Sequence, residues 1–271
     1  MRLAAPAFGP FAMAFVRVTV AAAVLGLAMI VLRKQILRGS QFYWTLGIGV
    51  LNSGIPFALF GYATLHLPAG YSAVLNATVP FWGLAIGAVV FHERLPVYKL
   101  LALSCAVAGL GIMLSLGSVD LNVRTVSAAA ACLLATLLYA IVGNITQRKL
   151  LGADPVAQSF GAMLGGSIAL LPFALWQWPA INPSAGDWAA VLTLGVLCSA
   201  IAYILYFWLI VNAGLTYSMN VTLVIPVFGV LWGMVFLGET LTVLSTLGAV
   251  ITVLSTAVVI GVLPKRWFVR A

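Results

Sequence analysis

The sequence predicts an all-α fold, a polytopic bundle of transmembrane helices, and three observations predict it. Of the 271 residues 63% are hydrophobic and 7% charged, whereas about a quarter are charged in an ordinary soluble domain. Mean hydropathy is +1.16. Apolar stretches close to the roughly 20 residues that cross a bilayer core follow one another along the whole chain, with no soluble-sized gap between them. They are continuous and rich in Ala and Leu, whereas a β-barrel would show alternating segments of about ten residues.

Nine spans are read in order. The first, 11–32, follows Arg2 as the core of a signal peptide would. It is long enough to span, however, holds Arg17 inside it, and has no small-residue cleavage site before its basic flank Arg33-Lys34. The second, 44–65, opens on Tyr43-Trp44, aromatics suited to the membrane interface. The third, 69–91, carries Pro80 and Gly83, and the fourth, 99–116, follows the basic pair Arg94 and Lys99. The fifth, 125–146, ends on Arg148-Lys149, and the sixth, 156–176, begins just after Pro155. The seventh, 188–213, opens on the interfacial Trp188, the eighth, 215–237, carries Pro226 and Gly229, and the ninth is 244–262. Transmembrane helices tolerate Gly and Pro, so Pro80, Pro226, Gly83 and Gly229 are expected as kink or hinge positions. Cys105, Cys132 and Cys198 each sit alone in mid-span, odd in number and without metal-ligand spacing. They are expected to be buried packing residues, with neither disulfide nor metal.

Ten of the thirteen Lys and Arg follow spans one, three, five and nine: Arg33, Lys34, Arg38, Arg94, Lys99, Arg148, Lys149, Lys265, Arg266 and Arg270. The opposite ends hold Arg2 and Arg124, beside Asp120, Asp187 and Glu239. The positive-inside rule places the basic ends and the C-terminus in the cytoplasm. The net charge of +8 is thus a topology signal. Scattered over separate loops, these cations form no patch for a nucleic-acid backbone.

The segment "GYSAVLNATVPFWGLAIGAVVFHERL" returns 146 residues later as "TYSMNVTLVIPVFGVLWGMVFLGETL". At that offset Pro80 meets Pro226, Gly83 meets Gly229, Gly87 meets Gly233 and Glu93 meets Glu239. The match reaches back without a gap to Gly49, which meets Gly195, and one residue of slip extends it to Pro10 and Pro155. Spans one to four therefore correspond to spans six to nine, with equivalent loops on opposite sides of the membrane. Such an inverted repeat places a binding site near the midplane, where the two halves meet. The division expected is 1–118 and 119–271. Span five has no partner in the first half, so a five-plus-five arrangement is expected in which the first of ten helices is missing.

"GPFAMAFVRV" with its Arg, the two Pro-to-Glu blocks "VPFWGLAIGAVVFHERL" and "IPVFGVLWGMVFLGETL", and "LGAVITVLSTAVVI" resemble the drug/metabolite transporter superfamily, specifically its EamA-type ten-helix exporters. The resemblance runs from about Pro10 to Val262. It implies a basket-like ten-helix bundle with a central cavity lined mainly by spans two, three, seven and eight. It also implies export of amino acids or other small metabolites, across a bacterial inner membrane.

Polar side chains inside spans are costly in hydrocarbon and mark candidate sites. Asn52 in span two is one. In span three Ser72, Asn76 and Thr78 precede Pro80, and in span eight Ser218, Asn220 and Thr222 precede Pro226. Helical spacing puts Ser72 with Asn76, and Ser218 with Thr222, on common faces. Each proline frees a carbonyl one turn earlier, near Asn76 and Thr222, giving a polar notch that suits a zwitterion or polar metabolite. The alternative role for these side chains is bonding to backbone or to a neighbouring helix. Tyr203, Tyr206 and Trp208, with Tyr62 and Trp82, suit either an apolar cavity wall with polar tips or simple packing. Arg17 either snorkels outward, anchors a carbonyl as a charge anchor, or meets an anionic substrate group. Glu93 and Glu239, just past their spans, suit capping of the next helix more than proton relay.

With no acid in mid-span, facilitated diffusion or exchange is the simpler mechanism, and no G-x-x-x-x-G-K-[ST] points to ATP. The leading reading is a secondary transporter exporting small metabolites such as amino acids. A carrier of sugars or nucleotide sugars is the alternative, and would need a basic cluster where only Arg17 qualifies. A membrane enzyme ranks third, since His66 and His92 lie near span ends without a partner at catalytic or metal spacing. No cofactor is expected. The partners expected are the bilayer and a small-molecule substrate, and a monomer is compatible with this architecture.

Overall fold

A chain this apolar must satisfy its backbone internally, and it does so by helix. The computed structural model describes residues 1–92, 96–115, 122–150, 152–214, 218, 221–238 and 242–261. Its helices are α1 (Ala5–Val31), α2 (Ser40–Gly49), α3 (Ile55–His66), α4 (Ala69–Asn76), α5 (Val79–Phe91), α6 (Val97–Ser115), α7 (Val123–Lys149), α8 (Pro155–Trp176), α9 (Ala185–Gly195), α10 (Ala202–Ala213), α11 (Val221–Leu237) and α12 (Val243–Ile260). Helix α2 runs into α3 through a π-helical segment, Val50–Gly54, and α9 runs into α10 through another, Val196–Ile201. Seven stretches are long and apolar enough to cross a membrane, and Val97–Met113 and Ile225–Leu237 are shorter apolar helices. These nine stretches fall where the nine predicted spans do.

The expected kinks appear in part. Helix α1 passes through Gly9 at φ 74°, a left-handed conformation that glycine adopts without a Cβ penalty, directly before Pro10. Span three is two helices rather than one. Helix α4 stops at Asn76, Ala77 and Thr78 turn, and Pro80 sits in the first turn of α5, where its missing N–H is not needed. Pro226 is different, since it lies inside α11.

The chain packs as two compact units, Met1–Leu65 with Val142–Ser218, and His66–Ile141 with Met219–Ala271. In the first, Ala14, Val18, Ala21 and Leu25 of α1 meet Ala157, Met163 and Leu170 of α8 in one buried core. Small residues on that seam let the backbones approach, which is how helices associate without a hydrophobic driving force between them. The pair is antiparallel: Lys34 beyond α1 bonds Asp154 before α8 at 2.8 Å, while Phe11 stacks on Phe173 at the other end. In the second unit α6 and α12 pair, again antiparallel, with Ala106 against Thr252 and Met113 against Gly248.

Close approaches recur at the sequence offset. A side chain at Gly49 would strike the Ala162 carbonyl, and one at Gly195 would meet the Arg17 carbonyl at 3.0 Å. Gly195 is the repeat counterpart of Gly49, and Ala162 that of Arg17. In the second unit Thr252 Oγ1 reaches the carbonyl of Ala106, its own counterpart, at 3.5 Å. Gly229 of α11 lies so close to Ala73 of α4 that no Cβ fits between them.

Two expectations about side-chain placement are corrected. Cys105 and Cys198 are exposed on the outer faces of their helices, and only Cys132 is buried. Hydrocarbon makes no demand that a thiol be hidden, so mid-span position does not imply burial in the protein. Trp208 is 53% exposed and faces outward, not into a cavity wall.

Candidate functional site

Each unit holds a polar cluster inside its spans. In the first unit the cluster is built on the two π-helical segments. A π turn replaces i→i+4 with i→i+5 bonding, which disturbs the regular ladder and turns carbonyls toward other partners. Tyr203 of α10 donates its hydroxyl to the Asn52 carbonyl at 2.8 Å. Arg17 of α1 donates Nη2 to the Cys198 carbonyl at 3.0 Å. Asn52 and Cys198 are repeat counterparts, so the same backbone position in both halves is served by a side chain from another helix.

Around these bonds the cluster closes. Ser53 Oγ donates to the Tyr203 oxygen at 3.2 Å, and Asn52 Nδ2 makes a longer approach at 3.4 Å. Arg17 Nε donates to Ser199 Oγ at 2.6 Å, and Ser199 passes its own proton to the Leu194 carbonyl at 2.9 Å. Phe57, the counterpart of Tyr203, lies under the guanidinium at 3.7 Å and presents its ring to Tyr203 at 6.1 Å. A desolvated cation over an aromatic face is worth up to about 2 kcal/mol. Arg17 is 7% exposed, so it does not snorkel outward. Tyr206, half-buried, packs its ring against Tyr203 and Phe207.

In the second unit the cluster is built on the break in span three. Thr78 Oγ1 donates to the Leu75 carbonyl at 2.7 Å and lies 3.2 Å from Thr136 Oγ1 of α7. Trp82 Nε1 donates to that same Thr136 oxygen at 3.0 Å. Thr256 Oγ1 of α12 donates to the Ala77 carbonyl at 3.2 Å, which satisfies a backbone group that the break leaves over. Ser72 and Asn76 share one face of α4, as their spacing predicts. Ser72 Oγ and Asn76 Oδ1 are both buried without a hydrogen-bond partner.

The remaining predicted residues are spread more widely. Ser218 Oγ donates to the Gly214 carbonyl at 3.0 Å, the backbone-bonding role. Tyr62 is half-buried on α3, Gly83 is half-buried on α5, and Pro80 and Pro226 are buried. Asn220 and the side chain of Thr222 lie outside the described residues, as do Glu93 and Glu239. Sequence reasoning does not single out Phe57 or Thr136. The 146-residue offset that carries Phe57 onto Tyr203 is the signal that finds the first. Among the described residues no group of three or more His, Cys, Asp or Glu is placed to hold a metal ion.

Polar groups embedded in helices of this length are the furniture of a membrane-embedded binding protein, and comparison with known proteins gives the class. A sequence profile of the EamA-like transporter family matches residues 1–115 and 126–261. An uncharacterized transporter of Archaeoglobus fulgidus is 27% identical over 259 residues, covering 90% of this chain and 85% of the relative. A probable terminal-alkyne amino-acid exporter of Streptantibioticus cattleyicolor is 23% identical, with 88% and 80% covered. A probable amino-acid metabolite efflux pump of Salmonella typhimurium is 26% identical, with 76% and 72% covered. A solved crystal structure superposes with a TM-score of 0.69 at 18% identity, over 96% of this chain and 89% of that one, a likeness of fold. With the profile spanning nearly all of its length and its apolar helices set for a bilayer, the chain is an integral membrane protein belonging to the EamA-like transporter family.

Proposed function

We propose that this member of the family is a secondary transporter that exports small metabolites, amino acids among them, by alternating access. The observation that carries the reading is the repeated geometry of the two halves. Counterpart helices run antiparallel, α1 with α8 and α6 with α12, and the Gly49 contact on Ala162 recurs as Gly195 on Arg17. Residues 1–118 and 119–271 then act as the inverted repeats whose exchange of conformations opens the substrate path to each face in turn. Relatives named for amino-acid export and amino-acid metabolite efflux support the substrate class.

In this reading Ser72, Asn76, Thr78 and Trp82, with Asn220 and Thr222, offer polar contacts to substrate, and Asn52, Tyr62, Tyr203, Tyr206 and Ser218 complete the set. Arg17 holds the second π segment rather than substrate. The protein sits in a bacterial inner membrane with its C-terminus in the cytoplasm, a placement supported by the ten basic residues that share one set of span ends.

Efflux from proteoliposomes preloaded with labelled L-leucine, L-phenylalanine or L-threonine tests the proposal. Saturable loss of unmodified amino acid, absent from protein-free vesicles, is the expected result. Chemical conversion of the label without release would turn the reading toward an enzyme, and no saturable release of any of the three would remove neutral amino acids.

A further inference from the structure

Deepening the proposed transport reading, on which it rests, we propose that the break between α4 and α5 is a subsite for a small monovalent cationic group, and that the group it takes is the ammonium of the substrate. Three features of the break are acceptors without donors. Ser72 Oγ is buried, its residue 6% exposed, and bonds to nothing. Asn76 Oδ1, one turn further along the same face, is buried and likewise unbonded. The backbone carbonyl of Asn76 faces residue 80, a proline, which has no N–H to give it.

The surroundings favour positive charge over negative. Asn76 is the last residue of α4, where the aligned peptide dipoles leave partial negative charge. Carbonyl-rich ends of interrupted membrane helices are where small cations are held in transporters built from inverted repeats. The nearby donors are already committed: Thr78 Oγ1 to the Leu75 carbonyl and Trp82 Nε1 to Thr136. The Cys132 thiol lies beside Ser72, and sulfur is a weak partner on either side of a hydrogen bond. An unsatisfied buried acceptor costs about 1–3 kcal/mol, so these groups gain most from a ligand that brings several N–H donors. An ammonium group brings three. A sodium ion asks for six or so oxygen ligands, more than Ser72 and the two Asn76 oxygens supply.

The experiment uses the purified full chain in proteoliposomes and in detergent. Labelled L-leucine efflux is challenged with 3-methylbutylamine, which keeps the ammonium, and with 2-hydroxy-4-methylpentanoate, which replaces it with a hydroxyl. The amine is expected to compete and the hydroxy acid to fail, with amine affinity falling about tenfold in Ser72→Ala and in Asn76→Ala, as for loss of a hydrogen bond to a charged group. Asn76→Asp, which adds negative charge at the same place, is expected to tighten the amine. The same ranking is expected in the rise of melting temperature on adding the amine, a readout independent of flux. Flux that requires sodium over choline, and loses that requirement in Ser72→Ala, would assign the same cation chemistry to a free ion. Saturable leucine flux on which amine and hydroxy acid compete equally would overturn the inference while leaving the transporter reading intact. No flux with any substrate, and no amine-dependent shift in melting temperature, would overturn both.

Discussion

Tyr203 and Arg17 do the same task by different chemistry. Each donates to a carbonyl at the equivalent position of a π-helical segment, Asn52 in one half and Cys198 in the other. Removing the hydroxyl in Tyr203→Phe leaves the Asn52 carbonyl unpaired inside the protein, at a cost of about 1–3 kcal/mol. The melting temperature in detergent should fall by several degrees. Tyr206→Phe, whose residue contributes ring packing beside Tyr203, should change it far less. Equal losses in the two variants would contradict the role given to the Tyr203 hydroxyl. Arg17→Lys is the matching test in the other half. Lysine places a point charge where the guanidinium spans Ser199 Oγ and the Cys198 carbonyl at once, so the variant should lose thermal stability despite keeping its charge. A wild-type melting temperature for Arg17→Lys would show that the fork is not needed.

At the level of elements, closeness of backbones decides what a helix tolerates. A methyl group at Gly47 meets nothing within 4 Å, whereas one at Gly49, two residues on, runs into the Ala162 backbone. Alanine is favoured over glycine in a helix by roughly 0.5–1 kcal/mol, so Gly47→Ala should raise the melting temperature and Gly49→Ala should lower it. The same sign in both variants would mean that α2 and α8 do not pack as described. The start of α8 supplies a pH-dependent case. Asp154 is the N-cap, accepting from Val156 N and Ala157 N at 2.9 and 3.2 Å, and it pairs with Lys34. Partial burial disfavours its charge, but the Lys34 hydrogen bond, the two backbone N–H bonds and the lysine charge outweigh it and lower its pKa. A lowered carboxyl stabilises the fold fully above its unfolded value, about 3.9, and loses that contribution as pH falls through the folded value. Wild type should therefore exceed Asp154→Asn in stability by a constant margin above about pH 5, with the margin shrinking in acid below pH 4. A margin that does not change with pH would assign the effect to capping alone, which asparagine preserves.

The whole molecule was legible in the sequence to an uneven depth. Nine spans follow from hydrophobic length alone, because a bilayer fixes that length. The 146-residue offset made Gly49 and Gly195, Ser53 and Ser199, and Phe57 and Tyr203 visible as pairs before any coordinates. What the offset does not carry is the π geometry between α2 and α3 and between α9 and α10, since no residue type encodes an i→i+5 turn as glycine encodes a positive φ. Nor does it say that Pro80 begins a helix while Pro226 lies inside one, for the same residue serves both places and the packing around it decides. Outward-facing Cys105 and Cys198 escaped for a related reason: periodicity separates core from surface only when the surface is wet.

Repetition of one structural unit in opposite orientations has a functional meaning only if the protein exchanges substrate between the two faces. The most direct measurement is counterflow: proteoliposomes loaded with unlabelled amino acid, diluted into a trace of the labelled one, with Asn76→Ala alongside. The account predicts transient accumulation of label above equilibrium, saturable and weakened in the variant, because a carrier that returns loaded moves label faster than net flux does. Label that only equilibrates, at a rate indifferent to unlabelled substrate inside, would contradict alternating access.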